Sequence, residues 1–295
     1  MDTLILDGKL VAHSIKNKIK EKAIKLQQEK NITPGLALLL VGDNPASKVY
    51  VNSKAKTCEE LGFMSIIYEL STNTTEESVL KIINEWNNND AIHGILVQLP
   101  LPKHISENKV LEAISPDKDV DGFHPVNVGK LVLGLDGFVP CTPAGIIEIM
   151  KFYNINPNKK NVVVIGRSNI VGKPMLNLLY QKRDWSNATV TICHTGTQNL
   201  HYYTKNADIV IAAMGYPKFL KAEHIKEGTV IIDVGINRIE DNTKKSGYRL
   251  VGDVDYEDCF PKCSAITPVP GGVGPLTIAM LMSNTLKAAI NHKDK

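Results

Sequence analysis

The stretch Asn161 to Pro174, "NVVVIGRSNIVGKP", decides the fold. A short run of valine and isoleucine reads as a buried strand, Gly166 ends it, and Gly172 opens the next helix. A dinucleotide-binding turn normally sets a second glycine two residues after the first, where backbone approaches pyrophosphate. Ser168 stands there instead. The spacing by itself is weak, and its surroundings strengthen it. Three more short apolar runs follow in "ATVTICH", "ADIVIAAMG" and "TVIIDVGI", each with a helix or turn behind it. Strand, glycine turn, helix and further strands in that order outline a Rossmann-like nucleotide-binding domain.

The same turn bears on the nucleotide. A helix N-terminus near Gly172 offers free N–H groups and a positive dipole end to a phosphate, and Ser168 adds a hydroxyl donor. In domains that bind NAD the second strand usually ends in an acid that grips the ribose 2′-hydroxyl; here it ends "TICHTGT", with no acid. That leaves room for a 2′-phosphate, which Arg167, His194, Thr195 and Thr197 can meet with charge and hydroxyl donors. NADP is the expected cofactor, with NAD possible.

Upstream of this domain the pattern also alternates. The charged amphipathic run "VAHSIKNKIKEKAIKLQQEK" precedes the strand "GLALLLVG". A helix "NPASKVYVNSKAKTCEELG" closed by Gly62 comes next, then a strand "FMSIIYEL", a helix opened near Thr75 and the apolar run "IHGILVQLPLP". This is a βαβ rhythm, which predicts a mostly parallel sheet covered by helices. From "SPDKDVDGFHPVNVGKL" to "GFVPCTPAG" it breaks into a long connection rich in Pro, Gly and Asp, followed by the helix "AGIIEIMKFYNI". The chain ends in a Pro/Gly turn and an apolar helix, "TPVPGGVGPLTIAMLMSNTLKAAI", which must pack on something. We expect an α/β protein of two domains with a cleft between them. Residues 1–146 form the catalytic domain, completed by the C-terminal helix 272–295 packing back on it, and residues 147–271 form the Rossmann domain.

Composition excludes several classes. The 295 residues are 43% hydrophobic and 22% charged, with 34 basic against 31 acidic side chains and a net charge of +3, which is no polyanion-sized field. Nucleic acid is not expected as a partner, and neither is a membrane, since apolar strands such as "GLALLLVG" fall far short of the roughly 20 residues a span needs. The N-terminus "MDTLILDGKL" is neither a secretory nor a transit signal, so a cytoplasmic location is expected. Five cysteines without a CxxC pair read as free, reduced thiols. No second His or Cys stands at ligand spacing from His124, so no metal is expected.

One further pair carries chemistry. In "YVNSK" Tyr50 and Lys54 sit one helical turn apart on one face, a spacing that short-chain dehydrogenases also use. In that class, however, the pair follows the glycine turn, whereas here Lys54 precedes Gly166 by 112 residues. A catalytically silent nucleotide-binding scaffold is the rival from another class.

Together the motifs "YVNSK", "VQLPLP", "DKDVDGFHP", "CTPAG", "GRSNIVGKP", "DVGI", "GDVD" and "TPVPGGVGPLT", in this order, closely resemble the methylenetetrahydrofolate dehydrogenase/methenyltetrahydrofolate cyclohydrolase family. The resemblance implies a bifunctional, homodimeric, NADP-dependent cytoplasmic enzyme acting on one-carbon derivatives of tetrahydrofolate. It implies a catalytic set of Lys54, Gln98, Asp121 and Tyr50: the lysine at the reacting one-carbon bridge, Gln98 on the lysine, Asp121 on the pterin and Tyr50 along the folate. Val97, Leu99, Pro270, Gly271 and Gly272 would complete the folate contacts. Gly166, Arg167, Ser168, Thr195 and Ile236 would contact the cofactor. Two positions depart from the family pattern: Gly196 and Tyr216 stand where basic residues are common, which bears on the choice between NADP and NAD.

Overall fold

A computed structural model of the chain describes residues 2–244 and 247–292. Its strands are β1 (Leu4–Ile5), β2 (Gly35–Val41), β3 (Met64–Leu70), β4 (Gly94–Val97), β5 (Asn161–Ile165), β6 (Thr189–Cys193), β7 (Ile209–Ala212), β8 (Val230–Asp233), β9 (Asn237–Glu240), β10 (Tyr248–Val251) and β11 (Ala265–Ile266). Its helices are α1 (Gly8–Lys30), α2 (Pro45–Leu61), α3 (Glu76–Asn87), α4 (Glu107–Ala113), α5 (Pro125–Leu133), α6 (Cys141–Phe152), α7 (Gly172–Leu179), α8 (Leu200–Lys205), α9 (Tyr256–Cys259) and α10 (Val273–Asn291). They fall into two compact units. One joins His13–Cys141 to the stretch from Ile278; the other joins the residues up to Ala12 to Thr142–Thr277.

The first unit is built on a parallel three-stranded sheet in the order β3-β2-β4. Every residue of β2 is buried. Leu36, Leu38 and Leu40 face a core with Val51, Cys58, Leu61 and Met282, while Ala37, Leu39 and Val41 face another with Val79, Ile83 and Trp86. A strand covered by helices on both faces needs apolar side chains at every position, which explains why "GLALLLV" does not alternate with polar residues. The bounds of α2 are chemical. Asn44 Oδ1 accepts from the N–H groups of Ala46 and Ser47 at 2.9 and 3.2 Å, Pro45 opens the first turn, and Gly62 closes the helix with a left-handed φ of 73°.

The long connection is more ordered than its composition predicts. It contains α5, whose N-cap is His124: the ring Nδ1 accepts from Val126 N–H at 3.1 Å, and Gly134 caps the other end. The Pro and Gly that read as loop are helix punctuation here.

The second unit holds a six-stranded sheet in the order β1-β11-β8-β7-β5-β6, parallel throughout. Val163, Ile165, Val210, Ala212, Ile231 and Ile266 form one of its cores. The expected boundaries need correction here. The first residues pair with β11, Leu4 with Ala265 and Ile5 with Ile266, and Leu6 is fully buried, so the N-terminal segment groups with this second unit and not with residues 13–141. The junctions fall at 12/13, 141/142 and 277/278 instead of 146/147 and 271/272. Two-residue strands carry no periodicity, so β1 and β11 leave no pattern to read. The antiparallel pair β9–β10, Asn237 opposite Val251, is a further addition to the expected parallel strands. Helix α10 is long and apolar enough to cross a membrane by length and composition, yet Leu276, Leu281, Met282 and Leu286 along it are buried inside the protein. Residues 293–295 of the helix expected over 272–295 lie outside the described residues.

Candidate active site

In the first unit, α2 carries Lys54 inward while Tyr50, one turn earlier, is 43% exposed. Lys54 is buried, and its Nζ donates to Gln98 Oε1 at 2.8 Å. Gln98 follows β4, where its backbone N–H donates to Leu39 O and its Nε2 donates to Leu99 O, each at 2.8 Å. With the amide nitrogen committed to a carbonyl, the amide oxygen is the end that faces the lysine. Val97 is buried just before it, and the Leu99–Pro100 peptide that follows is cis.

Charge completes this arrangement. Burial pushes the Lys54 ammonium below its usual range, with Asp121 and Cys141 pulling the other way. Burial pushes the Asp121 carboxyl up, opposed by Lys54 and by the nearby Cys141 thiol, whose Sγ donates to Val120 O at 3.5 Å. Cys141, itself buried beside Asp121, is held well above the ordinary thiol range and stays protonated. Lysine and carboxylate are thus electrostatic partners, each softened by the loss of water.

The loop bearing Asp121 is fixed by neighbours. Asp119 Oδ1 accepts from Gly122 and Phe123 N–H, both at 3.2 Å, and Oδ2 accepts from His124 N–H and Asn127 Nδ2, both at 2.8 Å. Asn284 on α10 donates to Val120 O at 2.8 Å and Val139 O at 3.1 Å. Lys118, just before Asp119, donates to Trp86 O and Asn89 O at 3.0 and 2.8 Å, at the end of α3.

In the second unit, Gly166 takes a φ of +124°, and a Cβ there would run into the Ala213 carbonyl, so only glycine fits. Ser168 Oγ accepts from Val171 N–H at 3.1 Å and from Gly172 N–H at 3.4 Å, which leaves its own proton to donate. A cavity of about 710 Å³ opens beside this turn, lined among others by Gly166, Arg167, Ser168, His194, Thr195, Thr197 and Tyr216. At the end of β6, His194 Nδ1 accepts from Gly196 N–H at 3.0 Å, which sets the ring's other nitrogen as the donor of the neutral form. Ile236, beyond β8, is 48% exposed. Pro270, Gly271 and Gly272 belong to this second unit, in a turn where Val269–Pro270 is cis and Gly271 O accepts from Gly8 N–H at 2.9 Å.

Comparison with known proteins agrees with both halves. Residues 6–121 match the tetrahydrofolate dehydrogenase/cyclohydrolase catalytic domain, and residues 140–293 match the NAD(P)-binding domain of the same family. This chain belongs to the tetrahydrofolate dehydrogenase/cyclohydrolase family. The bifunctional protein FolD of Campylobacter hominis is 57% identical to it over 288 residues, 98% of each chain. The crystal structure of the FolD enzyme of Campylobacter jejuni is 51% identical with a TM-score of 0.91, covering 98% of this chain and 99% of that one. A Trypanosoma brucei FolD structure, complexed with NADP and an inhibitor, is 37% identical with a TM-score of 0.94 and covers all of both chains.

For this tetrahydrofolate dehydrogenase/cyclohydrolase chain, the structure gathers Tyr50, Lys54, Val97, Gln98, Leu99 and Asp121 in one unit. It gathers Gly166, Arg167, Ser168, Thr195 and Ile236 in the other, together with Pro270, Gly271 and Gly272. Two residues of the first unit escape sequence reasoning. Cys141 reads as one more buried thiol, although "CTPAG" belongs to the family pattern. Asn284 carries a usable signal, since an amide within so apolar a helix needs a hydrogen-bond partner inside.

Proposed function

We propose that this chain oxidises 5,10-methylenetetrahydrofolate to the methenyl form with NADP and hydrolyses the methenyl form to 10-formyltetrahydrofolate, as part of one-carbon metabolism. The observation that carries the reading is the buried Lys54–Gln98 pair, 2.8 Å apart and electrostatically coupled to Asp121, in a chain of this family.

Oxidation needs little acid or base. The two ring nitrogens stabilise the cation left as hydride departs, so the protein's task is positioning. Hydrolysis does need proton management: attacking water loses a proton as its oxygen bonds to carbon, and the departing nitrogen gains one as its bond to that carbon breaks. A free lysine, with a pKa near ~10.4, is a poor base at neutral pH. Burial lowers Lys54, and a cationic substrate would lower it further, which suits it to take the proton from water and return it to nitrogen. Gln98 orients the lysine without adding charge. Asp121 is better suited to holding the pterin edge by paired hydrogen bonds than to moving protons.

NADP, when bound, accepts the hydride. The second unit supports its fit. The glycine turn admits no Cβ, Ser168 keeps a proton to donate, β6 ends without an acid, and Arg167 stands exposed at the cavity for a 2′-phosphate. We also place the protein in the cytoplasm as a homodimer; five free, buried thiols agree with a reducing compartment, and equilibrium sedimentation at the monomer mass would remove the dimer.

The deciding assay supplies methylenetetrahydrofolate with NADP or NAD and follows reduced cofactor and the methenyl absorbance. We expect turnover with NADP, faster than with NAD, and decay of added methenyl substrate. No turnover with either cofactor would sink the reading.

A further inference from the structure

We infer that Asp253 is a positioning residue for the dinucleotide: its carboxylate fixes the Met214–Gly215 backbone that walls the cofactor cavity, and Asp233 in turn fixes Asp253. The inference rests on the reading of that cavity as the NADP site.

Neither residue has a part in the chemistry described above, and both are almost fully buried, Asp253 at 0% and Asp233 at 3% exposure. Asp253 Oδ2 accepts from Met214 N–H at 2.7 Å and Gly215 N–H at 2.9 Å, and its Oδ1 accepts from Asn237 Nδ2 at 2.8 Å. Asp233 Oδ1 accepts from the N–H groups of Gly235 and Asp253, both at 2.9 Å, and Oδ2 accepts from Val254 N–H at 3.0 Å. Each carboxylate therefore meets three N–H donors, and among the described residues no ammonium or guanidinium is one of them.

Burying a carboxylate is costly unless its oxygens are satisfied, so the donors must need the acceptors. They do. Met214 and Gly215 lie just past the end of β7, and Gly235 just past β8, where the chain leaves the sheet and its amides lose their ladder partners. Gly252 is part of the same design, because a Cβ at that position would collide with the Asp233 carboxylate.

One peptide plane connects this pair to the nucleotide turn. In a trans peptide the N–H and C=O groups point opposite ways. Asp253 holds the Met214 N–H, so the Ala213 carbonyl of the same plane is aimed away from it, and that carbonyl is the atom standing against Gly166. Met214 and Gly215 themselves line the cavity. The position of the wall opposite the glycine turn is thus set from behind by Asp253.

The test is Asp253→Asn, with direct NADP titration and both activities measured. An amide oxygen still accepts from the Met214 and Gly215 N–H groups, but without the charge that makes a carboxylate's hydrogen bonds roughly twice as strong, and its nitrogen meets an acceptor only if the Asn237 amide turns round. We expect NADP affinity to fall about tenfold or more and methenyl hydrolysis to stay within about twofold of wild type, a split that general unfolding would not produce. Asn237→Ala, which removes one partner of Asp253 and leaves the carboxylate in place, should weaken NADP about threefold in the same direction. It carries the test alone if Asp253→Asn does not fold. Unchanged NADP affinity in the variants, or equal loss of both activities, would overturn the inference while leaving the proposed function standing. Wild-type protein that binds no NADP would overturn the reading of the cavity and this inference with it.

Discussion

Lys54 is the residue on which the two proposed activities separate. Hydride transfer asks for orientation and hydrolysis asks for a proton carrier, so Lys54→Met should remove methenyl hydrolysis to background while part of the dehydrogenase rate survives. Equal loss of both, measured on the same preparation, would make the lysine a binding residue only. Its neighbour gives a second test with a defined sign. Gln98→Glu would put a carboxylate 2.8 Å from Nζ in place of the amide oxygen, raising the lysine pKa back toward its ordinary value. The acid limb of the hydrolysis profile should then move to higher pH, and the rate at neutral pH should fall roughly tenfold for every pH unit that the limb moves. A profile that stays in place would show that neutral Lys54 does not limit the step. The lysine, glutamine and aspartate are legible in the sequence because they sit inside motifs. Cys141 is not, because nothing in one sequence tells a thiol that donates to a backbone carbonyl next to the Asp121 carboxyl from a thiol that fills space.

At the scale of elements, caps and strand ends account for most of what can be read and what cannot. Gly62 and Thr75 announce the end of α2 and the start of α3, whereas His124 capping α5 is hidden, histidine being an unusual N-cap beside a proline that suggests a turn. A second histidine works in a similar way on the sheet: His93 Nδ1 accepts from the N–H of Gly35, the first residue of β2, at 3.0 Å. Burial, with His292 and Lys118 nearby, pushes His93 from 6.5 down to about 4. The unfolded chain therefore takes up this proton below about pH 6.5 and the folded chain does so only near 4, so the histidine's contribution is complete above the first value and is lost as pH falls toward the second. The size is about 3 kcal/mol. His93→Asn keeps an acceptor for Gly35 and cannot titrate. The stability of wild type relative to this variant, from urea unfolding at pH 7 down to pH 4, should fall by about that amount. Asp119 and Asp233, which burial raises to about 6 and about 7, act in the opposite direction but are common to both proteins. A difference that stays constant over the range would refute the assignment.

Over the whole molecule, the two α/β halves are visible in the βαβ rhythm, and the exchange of their ends is visible only at one terminus. An apolar C-terminal helix has to be buried somewhere, which is an argument sequence can make. A two-residue strand at the N-terminus gains its place only by pairing with Ala265 and Ile266, and that is a tertiary fact. The consequence is that neither half is a contiguous segment, and this can be tested on the first unit. The fragment from His13 to Cys141 contains all three strands, β2, β3 and β4, with α2, α3 and α1 from its second turn onward, so by secondary structure alone it is a nearly complete layer. It lacks Leu281, Met282, Leu286, Ala288 and Ala289, all buried in the core that includes Leu36, Leu38 and Leu40. Exposing the sites of three large side chains costs roughly 1.5–3 kcal/mol each, so about 5–9 kcal/mol in all, comparable with the 5–15 kcal/mol that holds an ordinary domain together. The fragment 13–141 should therefore show no cooperative urea transition by circular dichroism. The same fragment joined through a flexible linker to residues 278–292 should regain one. A cooperative transition in the unlinked fragment would mean that the returning helix covers a core already sufficient without it.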